Sequence, residues 1–286
     1  MSDDRGPRAR LLLTSAQNPR VKEAAGLRER RARERAGRVL VEGAREIDRA
    51  LRSGWAPLEV FAAEELLSRE ARALVGELER RLPHASVVGV SAAVFEKLAL
   101  REGSDGLVVI FERREVTLAQ ALGGERPLVL ALHGVEKPGN IGALARSADG
   151  CGATGMVLLE GCSDPMAPQA IRASLGTVFS VPVATATSEA LREAAQARGL
   201  PVIAAALGEA ARPPWEHRLA EGAIVLLGAE ATGLPDVWLA SATGRVLIPM
   251  RGIADSLNVA AAGAMLLYEA LKQRSASPGG GAHRGR

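Results

Sequence analysis

From residue 127 onward the chain repeats one pattern, a short and continuously apolar run that stops at a glycine or proline and is followed by a helical stretch. "LVLALHG", "TGMVLLEG", "TVFSVPVA", "LPVIAAAL", "GAIVLLG" and "RVLIPM" are the apolar runs. A strand without a polar face has to be buried on both sides, and a parallel sheet between two helix layers does that. The pattern therefore predicts an α/β unit with a mainly parallel sheet over 127–275. The front third alternates too, with "RVLVEG", "PLEVFAA", "ASVVGVS" and "GLVVIFE" set between helix-period segments, and predicts a smaller α/β domain over 1–114. Between them "TLAQALGGERP" reads as a linker, 115–126, with a short helix closing on Gly123-Gly124. The last helical segment, "LNVAAAGAMLLYEALKQR", is so rich in Ala and Gly that something must pack closely against it. The Gly/Ser/Pro-rich, basic residues 276–286 have the composition of a disordered tail.

Several function classes drop out at once. No apolar run is long enough to span a bilayer, and near the N-terminus only Leu11 to Leu13 is apolar, so neither a membrane anchor nor a secretory signal is expected and the chain is assigned to the cytoplasm. The two cysteines, Cys151 and Cys162, make neither a disulfide framework nor a zinc site, and both read as packing residues; no metal is expected. The net charge of +3 is uneven: residues 1–120 hold 22 Lys+Arg against 19 Asp+Glu, whereas 121–286 hold 14 of each. Between Arg20 and Arg38 eight basic residues face three acidic ones. That stripe suits a polyanion, although a solvated helix face of Glu/Arg pairs would look the same. With aromatics at 3% of residues, stacking cannot be the main grip on nucleic acid, which leaves phosphates and shape.

Three loops that follow apolar runs carry the polar residues of interest. In "HGVEKPGNIGALARSADG", Gly134 and Gly139 have the spacing of a P-loop, but Asn140 and Ile141 stand where Lys and Ser/Thr are required, and only part of a dinucleotide fingerprint is present. What remains is Pro138-Gly139-Asn140 opening a helix that carries Arg146, a good place for a phosphate; an Asn cap and a surface arginine would read alike. The second loop, "GAEATGLP", puts Glu230 after a strand, with Gly228 and Gly233 allowing close backbone approach. In the third, "LIPMRGIADSLNVAAAGA", Asp255 or Ser256 is expected to cap a helix whose first turn holds Asn258, an odd residue there because Asn is a mediocre helix former.

Taken together, N-x-G-x-x-x-R at Asn140, Gly142 and Arg146, G-x-E at Gly228 and Glu230, and I-P-M…S-L-N at Ile248 to Met250 and Ser256 to Asn258 resemble the signature of the SPOUT class of methyltransferases, in particular the TrmH-type RNA 2′-O-ribose methyltransferases. The resemblance covers roughly 127–275. "SAQNPRVKEAAGLRERRARERAGRVLVEGAREI" is similar to that family's L30e-like substrate-binding domain, and the layout is similar to 23S rRNA methyltransferases, including those that confer resistance to thiostrepton or avilamycin. The resemblance implies a deep trefoil knot, with the helix from Asn258 to Leu271 as the threaded segment. It also implies S-adenosyl-L-methionine held by Ala206, Leu207, Gly208, Leu227, Gly228, Ile248, Pro249, Met250 and Leu257, and a twofold homodimer. Arg146, Asn140, Glu230, Ser256 and Asn258 would form the catalytic set, and Arg20, Lys22, Arg30, Arg31, Arg45 and Arg146 would contact RNA. Family proposals make the residue matching Arg146 the base or its phosphate-assisted equivalent; since arginine keeps its proton in proteins, orienting a phosphate and stabilising the developing alkoxide is the preferred role.

The expected activity is thus S-adenosylmethionine-dependent ribose 2′-O-methylation of RNA, with 23S rRNA ahead of transfer RNA and antibiotic resistance as one biological setting. The rival readings are a non-catalytic RNA-binding or ribosome-assembly protein, a nucleotide-dependent oxidoreductase, which the broken fingerprint weakens, and a serine hydrolase, which lacks a G-x-S-x-G elbow.

Overall fold

Two hydrophobic cores form along the chain, one within each half. The structure, a computed structural model, describes residues 10–276 apart from 102, 209 and 231. By contacts the chain divides into a unit that runs to Arg114 and takes in Met166–Ile171, and a second that comprises Glu115–Pro165 and the chain from Arg172. Of the tail expected over 276–286, Ala276 ends the last helix and the rest lies outside the described residues.

The first unit runs β1 (Leu11–Leu13), α1 (Pro19–Gly26), α2 (Arg30–Ala36), β2 (Arg38–Glu42), α3 (Ala44–Arg52), β3 (Pro57–Ala62), α4 (Arg69–Arg81), β4 (Val87–Val90), α5 (Ala92–Leu98) and β5 (Leu107–Glu112). Its sheet has the order β1-β4-β3-β5-β2, parallel from β1 to β3 and antiparallel at β3/β5 and β5/β2. Local chemistry sets the boundaries. The Asn18 side chain accepts from the Arg20 N–H with Pro19 at the first helical position, and Gly37, at φ 61°, ends α2 in the left-handed region. The core gathers Leu40, Phe61, Phe95 and Ile110, each at most 1% exposed. β1 is too short to show a period and owes its existence to pairing with β4.

From Glu115 the elements are α6 (Leu118–Ala121), β6 (Leu128–Leu132), α7 (Pro138–Gly150), β7 (Gly155–Leu158), α8 (Pro168–Ala173), β8 (Val183–Thr185), α9 (Ser188–Ala197), β9 (Val202–Ala205), β10 (Ala211–Arg212), β11 (Ala223–Leu227), α10 (Asp236–Ser241), β12 (Gly244–Val246) and α11 (Val259–Ala276). All seven strands of this sheet are parallel, in the order β10-β12-β9-β11-β6-β7-β8. Every residue of the central β6 and β11 is at most 2% exposed, as continuously apolar strands require.

Three expectations shift. Thr177–Phe179 of "TVFSVPVA" is a single 3-10 turn, leaving only Val183–Thr185 as strand. "RVLIPM" leaves the sheet after Val246, which frees Leu247 to Met250 for a loop. Residues 115–126 are no free connector: Thr117 and Gln120 form a capping box, and Ala121 and Leu122 sit in the second unit's core. There the Ala121 carbonyl lies so close to Gly155 that any side chain on Gly155 would collide with backbone.

A polar tie links four elements beside the sheet. Glu160, just past β7, accepts from the Ser188 N–H at 2.7 Å and the Ser188 hydroxyl at 2.6 Å, and Ser188 Oγ accepts from the buried Trp238 Nε1 at 3.1 Å. His133, just past β6, approaches the same carboxylate at 3.7 Å. Partial burial works against the charged form of Glu160, but the Ser188 donors and His133 outweigh it and hold the carboxyl below its usual range.

Candidate functional site

The sheet order brings the three loops together. β12, β9, β11 and β6 are consecutive neighbours and all parallel, so the segments after them emerge side by side at the carboxyl edge. The chain runs outward from β6 to β8 and then crosses back to β9, so the edge between β6 and β11 is a topological switch point, where open α/β sheets bind ligands.

At that edge Glu230 collects donors from two other loops. Its Oε1 accepts from Asn140 Nδ2 at 2.8 Å and from Asn258 Nδ2 at 2.9 Å, and its Oε2 accepts from Lys137 Nζ at 2.7 Å. Asn258 Nδ2 also approaches Asn140 Oδ1 at 3.4 Å. The Lys137 ammonium, helped by Asn140, holds Glu230 below the usual carboxylate range, and the same contact raises Lys137 above the usual lysine value. The cluster is thus one carboxylate, one ammonium and two amides with their NH2 groups turned toward the carboxylate.

Asn258 corrects the expected helix start. α11 begins at Val259, the Asn258 Oδ1 accepts from the Ala260 N–H at 2.9 Å, and its carbonyl accepts from the Ala262 N–H, so Asn258 is the cap rather than a first-turn residue. Its helix propensity is irrelevant there. Neither Asp255 nor Ser256 fills that role, and Ser256 has no hydrogen bond to the other three polar residues.

Beside the cluster lies a cavity of about 500 Å³ walled by these loops. Of the residues expected at a cofactor, Ala206, Leu207, Leu227 and Gly228 line it, and Ile248, Met250 and Leu257 complete the wall, whereas Gly208 and Pro249 stand outside the lining. Glu230 and Ser256 also face it. Gly228 is glycine because of its own chain: a Cβ would fall 2.3 Å from the Gly233 carbonyl carbon and 2.6 Å from the Leu234 nitrogen. The loop closes on itself there through Ala229 N–H to Gly233 O and Gly233 N–H to Ala229 O. Gly263 answers the question of what packs on α11, since a Cβ there would meet Leu144 of α7 and Leu227 of β11.

Arg146 is not part of the cluster. It is exposed on α7 six residues past Asn140, well round the helix, with no hydrogen bond or ion pair among the described residues. The basic stripe of the first unit is mostly occupied internally. Arg20 pairs with Glu59 and bonds Ala85 O, Arg30 pairs with Glu34, Arg45 with Glu46, and Arg33 is buried against the carbonyls of Leu27 and Arg28. Lys22 and Arg31 have no such partner among the described residues and stay exposed. Burial raises the thiols of Cys151 and Cys162, as suits packing residues. Among the described residues no group of three or more His, Cys, Asp or Glu is placed to hold a metal ion, and no helix is long and apolar enough to cross a membrane. Lys137 is the residue that sequence reasoning missed. Its place before the helix-opening proline, three residues from Asn140, was a signal, but nothing in the sequence pairs it with Glu230.

Comparison with known proteins places this geometry. Residues 127–268 match the SpoU rRNA Methylase family and residues 18–109 match the MRM3-like substrate binding domain. The 23S rRNA (uridine(2479)-2′-O)-methyltransferase of Streptomyces viridochromogenes is 31% identical over 279 residues, covering 95% of each chain. A solved RNA 2′-O ribose methyltransferase superposes with a TM-score of 0.79 at 39% identity, over 92% of this chain and 99% of the other. An AdoMet-bound rRNA methyltransferase from Sinorhizobium meliloti gives 0.82 at 29% identity, over 91% and 97%.

Proposed function

This chain belongs to the SpoU rRNA methylase family, and we propose that it uses S-adenosylmethionine to methylate a ribose 2′-hydroxyl of 23S ribosomal RNA. The observation that carries the reading is the convergence of Asn140, Glu230 and Asn258, from three separate loops, at the mouth of a largely apolar cavity. The cavity suits the cofactor: about 500 Å³ lies within the range of small-molecule sites, and its walls are mostly apolar with a few polar side chains, Glu230, Thr232, Asp255 and Ser256. Ala206, Leu207, Leu227, Gly228, Ile248, Met250 and Leu257 would hold it. When bound, S-adenosylmethionine supplies a methyl group on a sulfonium, open to in-line attack.

The chain's own groups do the rest. Glu230, kept ionised, takes the NH2 groups of both asparagines, and Asn140 Oδ1, which accepts only the long 3.4 Å contact from Asn258 Nδ2, keeps a lone pair for a ribose hydroxyl. Positioning the hydroxyl in line for attack can supply about 7–11 kcal/mol of the barrier reduction. Arg146 would orient the adjacent phosphate and stabilise the developing alkoxide while the hydroxyl proton passes to water at the open mouth of the site. Its exposure, with no hydrogen bond to Asn140 or Glu230 of its own chain, supports a twofold homodimer in which it serves the partner's site. Exposed Ile253 and the exposed Met265 and Tyr268 of α11 are apolar enough to cover such an interface.

A trefoil knot with α11 as the threaded segment is part of the same reading, and the close packing of Gly263 of α11 on Leu144 of α7 and Leu227 of β11 is compatible with it. The first unit, with its mixed five-stranded sheet, is read as an L30e-like RNA-binding domain in which exposed Lys22 and Arg31 contact RNA directly and Arg20, Arg30 and Arg45 exchange Glu59, Glu34 and Glu46 for phosphates, and the second as the methyltransferase domain. Action on ribosomes in the cytoplasm follows, and protection from a ribosome-targeting antibiotic is one setting for it. Mapping ribose methylation of 23S rRNA from cells with and without the protein tests the reading; no difference at any nucleotide would refute it. A non-catalytic RNA-binding role would require calorimetry to find no binding of S-adenosylmethionine.

A further inference from the structure

Lys137 lies outside the sequence signature of the site, yet it completes the coordination of Glu230. With Oε1 taken by the two asparagines, Lys137 Nζ occupies the other carboxylate oxygen at 2.7 Å. We propose that Lys137 is a substrate-contacting residue whose ammonium, anchored on Glu230 through one N–H, binds a backbone phosphate of the RNA beside the target ribose. The inference rests on the RNA-methylation reading and adds a contact to it.

Three observations support it. An ammonium has three donors, Glu230 uses one, and the Lys137 side chain is 73% exposed, so the others face solvent at the mouth of the site. Lys137 is also the N-cap residue of α7, three residues before Asn140, so a phosphate held by Lys137 lies within reach of the ribose that Asn140 would orient. Finally, the charge balance favours an anion. Glu230 alone would repel the RNA backbone, whereas Glu230 with Lys137 and two amides is neutral, and an incoming phosphate meets an ammonium first. Because the ion pair raises the Lys137 pKa, Lys137 stays cationic and cannot serve as the base for the hydroxyl.

The test compares wild type, Lys137→Met and Lys137→Arg for binding and methylation of full-length 23S rRNA transcript at several salt concentrations. S-adenosylmethionine affinity is measured by calorimetry in parallel. We expect Lys137→Met to lower kcat/KM for RNA by about tenfold or more and to flatten the slope of log binding constant against log salt by about 0.7–1, the signature of one lost phosphate contact. Cofactor affinity and melting temperature should stay at wild-type values, and Lys137→Arg should restore the slope. An unchanged slope in Lys137→Met, even with reduced turnover, overturns the proposal and leaves Lys137 as a support for Glu230. Failure of the wild type to methylate any nucleotide removes the function reading itself, and this inference with it.

Discussion

Replacing Gly228 with alanine tests whether the cavity wall depends on one close backbone contact. The added methyl would lie 2.3 Å from the carbonyl carbon of Gly233, 2.4 Å from its oxygen and 2.6 Å from the nitrogen of Leu234. These are backbone atoms, so no change of rotamer relieves the overlap. Two routes remain. Strand β11 can distort within a packed core, at a cost of about 1–3 kcal/mol for overpacking. Alternatively the 228–233 loop can open, losing the Ala229–Gly233 pair of hydrogen bonds at about 0.5–1.5 kcal/mol each. Either route costs about 1–3 kcal/mol and shifts the wall that carries Leu227, Gly228 and Glu230. If the cofactor needs the closed loop, its dissociation constant should rise by about 5- to 150-fold, at 1.4 kcal/mol per tenfold. Calorimetric titration with S-adenosylmethionine reads this directly. Gly150→Ala is the control, because nothing lies within 4 Å of a Cβ there. A Gly228→Ala protein that binds the cofactor as tightly as wild type and melts at the same temperature would refute the argument.

Other outcomes follow from the same geometry. Arg146→Ala should lower turnover with saturating cofactor and RNA by about 10²–10³-fold, as expected for a group that stabilises developing charge, while leaving stability within about 0.5 kcal/mol because Arg146 is exposed and has no partner among the described residues; near-normal turnover would sink its assigned role. Asn258→Ala removes the α11 cap and should cost about 0.5–2 kcal/mol in urea unfolding, in addition to lost activity. The depressed pKa of Glu160 contributes stability that is present above the ordinary carboxylate value of 4.5 and is lost as pH falls through the lower folded value. The unfolding midpoints of wild type and Glu160→Gln should therefore differ at pH 7 and converge in acid; a constant gap would refute the assignment.

The legible part of this chain was its apolar grammar. Runs such as Leu128–Leu132 and Ala223–Leu227 lack a polar face, so burial on both sides, and with it a parallel α/β sheet, was dictated before any contact was known. Glu230 was likewise marked just after an apolar run, and Asn140 and Asn258 at the helix starts that follow two others. Less legible were elements that depend on a distant partner. β1 exists because β4 pairs with it, Thr177–Phe179 turns despite its β-branched residues, and Ala121 is core because Gly155 leaves room for its carbonyl.

The sequence by itself determined the central strands buried on both faces, such as Leu128–Leu132 and Ala223–Leu227, and the residue types that follow them, because those depend on local periodicity and solvation. Only the tertiary structure decided that Lys137, Asn140, Glu230 and Asn258 share one set of hydrogen bonds while Arg146 stands apart. Strand order decides it: β11 lies between β6 and β9 with β12 next to β9, and so positions about 90 to 120 residues apart in sequence meet within hydrogen-bond distance.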